Sequence, residues 1–230
     1  MKYNNIKEAE FISRPNRFIA ICNVDGKEEV CHVKNTGRCR ELLIHGVTVY
    51  LEKSDNLGRK TKYDLVAVKK GEDIFNIDSQ APNVVVGEWI KKGGLFCDVT
   101  MVKPETTYRG SRFDFYVEHG GTSAFIEVKG VTLEEDEVLL FPDAPTQRGV
   151  KHIHELVKAK EEGYEAYIIF VVQTDKAKYF TPNVKTHKEF GDALRMAEEN
   201  GVKILCYSCK TTKDFLEIEK SVPVKLNIEK

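Results

Sequence analysis

No stretch of this chain is apolar for long enough to cross a bilayer, and the opening MKYNNIKEAEF lacks the apolar segment of a secretory leader. Those two gaps set aside the membrane and secreted classes and make a cytosolic (cytoplasmic) protein the expectation. A disulfide framework is missing as well. Cys22, Cys31, Cys39, Cys97, Cys206 and Cys209 are scattered and mostly flanked by apolar residues, as reduced thiols in a cytosolic protein are. Cys206 and Cys209 have C-x-x-C spacing, but no second pair completes a zinc site. They also lie beside a predicted strand and not at a helix start, where a redox thiol is activated. Charge of one sign is lacking too: the formal net charge is −1. Non-specific nucleic-acid binders usually carry a basic surplus, so any polyanion site here has to be a local patch.

What is present is an ordinary globular composition, 41% hydrophobic and 31% charged over 230 residues, enough for one large domain or two small ones. The first third reads as about five short strands joined by turns. FIAICNV and EEVCHV flank Asp25-Gly26, a strong hairpin signal because both turn positions tolerate positive φ. GVTVYLEKS is a strand, and KYDLVAVKK and DIFNID form a second hairpin around Gly71. This pattern predicts a small five-stranded barrel of the OB type over residues 1–80.

The character changes near Gln80. VVVGEWIKKG reads as a short helix, with Pro82 and Asn83 as start signals, Gly93-Gly94 as the stop and Trp89 packing on it. A hairpin and the extended run EVLLF come next. Thr146 then caps a helix with Val150, Ile153, Leu156 and Val157 at helical spacing. EAYIIFVVQ has the continuous apolar character of a buried central strand, EFGDALRMAEENG is a helix closed by Gly201, and VKILCYS is a strand. The order α-β-β-β-α-β-α-β predicts a mixed α/β domain over residues 81–230.

The hairpin FDFYVEHGGTSAFIEVK carries the most chemistry. Centred on Gly120-Gly121, its register pairs Val117 with Ala124, Phe115 with Ile126 and Asp114 with Glu127. Alternation then puts Asp114, Glu127 and Lys129 on one side of the sheet. Facing carboxylates repel unless one is protonated or a cation sits between them. Two oxygen ligands with open positions left over suit Mg²⁺ or Mn²⁺, and a neighbouring lysine can orient a water or stabilise developing negative charge. These parts fit metal-dependent phosphodiester hydrolysis. They also fit a solvated hairpin face on which Lys129 neutralises one acid. A third reading is a hydrolase for a small phosphodiester.

Aspartate, a gap and then Glu-x-Lys after a β-turn resembles the PD-(D/E)xK nuclease motif, with Phe-Asp standing where the motif has Pro-Asp. Over both predicted domains the chain resembles the sugar fermentation stimulation protein A (SfsA) family. The stretches that carry this are RFIA from Arg17, KNTG from Lys34 to Gly37, SRFDF from Ser111, IEVKGVTL from Ile126 and FPDAPTQRGVKHIHEL from Phe141. The resemblance implies an OB-like domain, a nuclease-type domain, DNA binding without sequence preference and a role in regulating sugar metabolism; beside the nuclease reading stands the alternative of a non-catalytic DNA-binding regulator that retains the nuclease fold. By motif position it implies Asp114 and Glu127 as metal carboxylates and Lys129 as the catalytic lysine. Gln147, Arg148 and His152 are the options for a polar residue added from the following helix.

A basic stretch, HVKNTGRCR, holds Lys34, Arg38 and Arg40 around an Asn-Thr-Gly turn. On residues alone it is also an ordinary solvated hairpin end. With the resemblance, Arg14, Arg17, Lys34, Asn35, Arg38, Arg112 and Arg148 become the expected DNA contacts. Arg148 and His152 share a helix face; His154 points away from them and is read as structural.

Overall fold

The computed structural model describes residues 1–35, 37–56 and 58–227. Six strands come first: β1 (Ile6–Asn16), β2 (Ile19–Val24), β3 (Lys27–Val33), β4 (Thr48–Lys53), β5 (Tyr63–Lys70) and β6 (Asp73–Asn76). They run in the order β3-β2-β1-β4-β5-β6, and an added parallel pairing of β3 with β5 closes β1 to β5 into a barrel. The five-stranded closed barrel therefore matches the expectation, but its membership differs. The sequence pattern does not predict β1, and β6, which it counts as a barrel strand, lies outside the ring on β5. The β2–β3 hairpin turns on Asp25 and Gly26, both at positive φ (51° and 80°). Inside the ring, Phe11, Ala20, Cys22, Val33, Val49, Leu51 and Leu65 form one apolar cluster.

The mixed α/β part begins with α1 (Ala81–Lys91) and continues through β7 (Val99–Tyr108), β8 (Ser111–His119), β9 (Thr122–Val131), β10 (Leu133–Glu135) and β11 (Val138–Phe141). Then follow α2 (Gln147–Glu161), β12 (Glu165–Val172), β13 (Tyr179–Pro182), α3 (Lys188–Glu199), β14 (Lys203–Thr211) and β15 (Leu216–Ser221). The main sheet has the order β15-β14-β12-β9-β8-β7. EVLLF is not part of it: β11 belongs to a separate three-stranded sheet with β10 and β13. The third strand of the nuclease-type meander is instead β7, an edge strand that pairs along β8.

The strand β12 is parallel to both neighbours and buried from Ala166 to Val172, as its unbroken apolar run requires. Its residues alternate between two clusters. Ile168, Phe170 and Val172 pack towards α2 and α3, and Tyr167, Ile169 and Val171 towards α1. Cys206 belongs to the first cluster and Cys209 to the second, so the two thiols lie on opposite faces of the sheet. Burial pushes both thiols up, Cys209 to about 12. They are packing residues.

One join between the two parts is Gln173, just beyond β12. Its amide donates to Asn76 Oδ1 at 2.8 Å and to the Asp78 carbonyl at 3.0 Å, and its own carbonyl accepts from the Asn76 N–H at 2.9 Å. Gly130 in β9 makes room for this junction: a Cβ there would sit 2.7 Å from Gln173 Oε1 and 2.8 Å from Pro82.

Candidate metal centre and nucleic-acid surface

The Gly120-Gly121 hairpin has the expected register, with backbone pairing from His119–Thr122 to Phe115–Ile126. One step further on, where Asp114 comes opposite Glu127, the Asp114 side chain takes over: Oδ2 accepts the Val128 N–H at 2.7 Å. The strand β8 turns over at this point. Phe113 packs in the α2-side cluster and Phe115 in the α1-side cluster, although regular alternation would put both on one face. Across from this turn, Glu105 of β7 is at φ 54°.

As a result Asp114 does not simply share a face with Glu127 and Lys129. It is held between β9 and α1, where Asn83 Nδ2 donates to Oδ1 at 2.7 Å. Burial, then the charge of Glu127, pushes its carboxyl above the usual carboxylate range. Sequence patterning reads Asn83 as a helix-start signal. Its amide instead fixes one of the two acids, and nothing in a single sequence separates these two uses of a first-turn asparagine.

Glu127 lies under α2 and is 3% exposed. Burial pushes its carboxyl up, but the hydrogen bond from His152 and the charges of Lys129 and His152 outweigh that and hold it below its ordinary value. Lys129 Nζ donates to Oε1, and His152 Nδ1 lies 2.6 Å from the same oxygen. The other oxygen, Oε2, is buried and has no hydrogen-bond partner among the described residues. Bare carboxylate oxygens in an interior are costly, so this atom marks a position for a further cationic group. Among the described residues, no group of three or more His, Cys, Asp or Glu side chains is arranged to hold a metal ion. The two acids would have to share the ion with water or substrate.

Of the helix residues, His152 reaches the carboxylate, and Arg148 Nε lies 3.4 Å from His152 Nε2 at the exposed start of α2. Gln147 does not reach it. Its amide turns to α3, with Nε2 3.0 Å from Glu189 Oε2 and 3.3 Å from His187 Nε2. Thr146 caps α2 by accepting from the Gly149 N–H at 3.1 Å. His154 is exposed on the outer face of α2 and is not a packing residue. Trp89 is half-buried against the Tyr207 ring, at 4.6 Å between centroids.

The basic residues divide in two. Arg17, Arg38 and Arg148 are exposed. Arg112 is exposed too, but pairs with Glu105 at 2.8 Å. Lys34 is drawn inward among Asp78 (3.5 Å), Glu52 (3.7 Å) and Asp64 (3.7 Å), so its charge is already balanced. Arg14 donates to four backbone carbonyls. Asn35 donates to the Ile77 carbonyl and accepts from the Gly37 N–H, which makes it a turn residue. Arg14, Lys34 and Asn35 therefore shape the loop and do not present a polar group outward. Thr36, the centre of the Asn-Thr-Gly turn, lies outside the described residues.

Among the described residues no helix is long and apolar enough to cross a membrane. Residues 12–77 match the family model of the SfsA N-terminal OB domain, and residues 80–215 that of the sugar fermentation stimulation protein RE domain. A sugar fermentation stimulation protein homolog of Desulfitobacterium hafniense (strain DSM 10664 / DCB-2) is 59% identical, covering 98% of this chain and 99% of its own length. The homolog of Clostridium beijerinckii is 58% identical over 98% of this chain and 100% of its own. A solved structure of Pyrococcus furiosus SfsA in complex with Ca²⁺ superposes with a TM-score of 0.89 over 98% of both chains, at 27% identity. With an OB-type barrel joined to a PD-(D/E)xK-type α/β domain, and relatives matching it nearly end to end, this chain belongs to the sugar fermentation stimulation protein (SfsA) family.

Proposed function

We propose that this chain is a cytoplasmic DNA-binding protein that keeps a nuclease frame and uses it to hold DNA, without strong sequence preference, rather than to cut it. The observation that carries this reading is the commitment of Lys129. Its ammonium donates to Glu127 Oε1, the oxygen that His152 also approaches, so it is engaged in holding the acid. A regulatory role in sugar metabolism rests on the name its relatives carry.

A divalent cation fits the frame. The buried Glu127 Oε2, which has no partner among the described residues, is an open acceptor for Mg²⁺ or Mn²⁺, and such a cation would offset the burial and the charge of Glu127 that push the Asp114 carboxyl up. Bound there, such an ion would neutralise the acid pair and attract a phosphate oxygen. Asn83 and Val128 would keep Asp114 in place, and His152 would keep Glu127 in place.

The second reading is metal-dependent phosphodiester cleavage at Asp114, Glu127 and Lys129. The same bare oxygen favours it, as does the solution of the Pyrococcus relative in complex with Ca²⁺. The test is to incubate the protein with labelled single- and double-stranded DNA in Mg²⁺ or Mn²⁺, following binding by anisotropy and cleavage on gels. Binding that weakens steeply with salt, with no cleavage, is the expected result. Cleavage lost in both Glu127→Ala and Lys129→Ala would overturn it in favour of the second reading. In parallel, Mn²⁺ at a hundredfold over its Kd should stabilise the wild type by about 2.7 kcal/mol, and Glu127→Ala not at all.

A further inference from the structure

Arg14 is half-buried at the point where two loops of the barrel meet. Nη2 donates to the carbonyls of Arg17 (2.8 Å) and Asn35 (2.6 Å), and Nη1 to those of Gly37 (2.8 Å) and Arg38 (2.7 Å). One guanidinium therefore ties the β1–β2 turn to the loop that follows β3. Its hydrogen-bond partners at this junction are backbone carbonyls, so its role here is to fix the two loops against each other. The turn is set from its own side as well, since Asn16 Oδ1 accepts from the N–H groups of Phe18 (2.9 Å) and Ile19 (3.1 Å). What these contacts hold in place is Arg17, Phe18 and Arg38.

Phe18 is 46% exposed, with the Arg17 guanidinium 4.8 Å from its ring centre. A single exposed aromatic needs no explanation by itself. This one differs because three of these hydrogen bonds fix its turn, three more tie that turn to the neighbouring loop, and each of the two segments carries an exposed arginine, Arg17 and Arg38. An aromatic ring with one arginine beside it and a second on the adjoining loop, on an OB-type barrel, combines a stacking surface for a base with charges for the adjoining phosphates. A duplex keeps its base faces stacked away, so the match is to an unpaired strand. The loop also abuts the second domain: a Cβ at Gly37 would lie 2.9 Å from Asp143 Oδ2, three residues before the Thr146 cap of α2.

We infer that Phe18, with Arg17 beside its ring and Arg38 on the loop that Arg14 ties to its turn, is a stacking platform for single-stranded DNA. The inference rests on the DNA-binding reading and narrows it to the unpaired form at this surface. The experiment measures anisotropy with a labelled oligothymidine and a duplex of equal length, for the wild type, Phe18→Ala and Phe18→Tyr. Phe18→Ala should weaken single-strand binding roughly tenfold and leave the duplex within about twofold, and Phe18→Tyr should restore the single strand. The Phe18→Trp variant reads the contact directly, since the oligothymidine should quench its fluorescence beyond any change in Trp89 of the wild type. Unchanged single-strand binding by Phe18→Ala, equal losses on both DNA forms, or no added quenching in Phe18→Trp would overturn the platform. Wild-type binding to the duplex alone would overturn it and leave DNA binding standing. Binding to neither would overturn both.

Discussion

Glu127 and Asp64 are made of matching parts. Glu127 is 3% exposed and Asp64 4%, and each has a histidine Nδ1 within hydrogen-bond distance, at 2.6 Å from His152 and 2.8 Å from His32. Each also has a lysine beside it, Lys129 or Lys34. The difference lies in how the oxygens are shared out. Arg59 grips Asp64 with both Nη atoms, at 2.6 Å to Oδ1 and 2.8 Å to Oδ2, so neither oxygen is bare. At Glu127, lysine and histidine crowd one oxygen and leave the other alone. Burial pushes the Asp64 carboxyl up, but the hydrogen bonds of Arg59 and His32 and the charge of Lys34 bring it down to about 2. Asp114, the neighbour of Glu127, is pushed the other way. A closed set of charges stabilises the barrel, whereas the open set in the hairpin keeps one oxygen available to a ligand.

The comparison breaks most visibly by truncation. Asp64→Ala strands Arg59, His32 and Lys34 without their shared partner and should cost about 3 kcal/mol in urea denaturation. It should leave the Mn²⁺ response of the hairpin intact. If that response disappears in a folded Asp64→Ala protein, the two acids are not independent.

Acid titration sharpens the same contrast. Asp64 has its carboxyl lowered from 3.8 to about 2 in the folded protein, so its contribution is full above pH 4 and is lost as pH falls towards 2. That limb amounts to about 2 kcal/mol. Stability followed against pH should show it in the wild type, and Asp64→Asn should lack it.

The smallest effect concerns the lysine of the closed set. Lys34→Gln should leave the salt dependence of DNA binding unchanged, because Asp78, Glu52 and Asp64 already balance that charge. Arg38→Gln should lower the slope by about 1. Equal slopes for both variants would show that Lys34 leaves its acids to meet DNA.

Sequence patterning reveals elements that bury a regular stripe. The central strand β12, the capped helix α2 and the Gly120-Gly121 hairpin are legible for that reason. Two long strands are not. Only Ala9 and Phe11 of β1 are buried, and charged residues interrupt its pattern. The edge strand β7 is exposed over most of its length and contains Pro104, which reads as a break. The hairpin register follows from the turn alone, but the overturning of β8 at Asp114 does not, because it depends on α1 and β7 packed against it. The basic patch shows another limit. Sequence gives the sign of a charge and not its partner, so Arg14 and Lys34 look equivalent to Arg17 and Arg38.

Gln173 and Gly130 have a consequence for how such a chain can be divided or recombined. Gly130 directly follows Lys129, and the Gln173 amide that fills the space beside it is bonded to Asn76 and Asp78 of the barrel. A gene cut between the barrel and α1 would uncover that amide one residue from the lysine. A foreign barrel joined to α1 would have to supply acceptors in place of Asn76 Oδ1 and the Asp78 carbonyl for the buried Gln173 amide. Gly130 thus couples the space beside the lysine to the junction between the two parts.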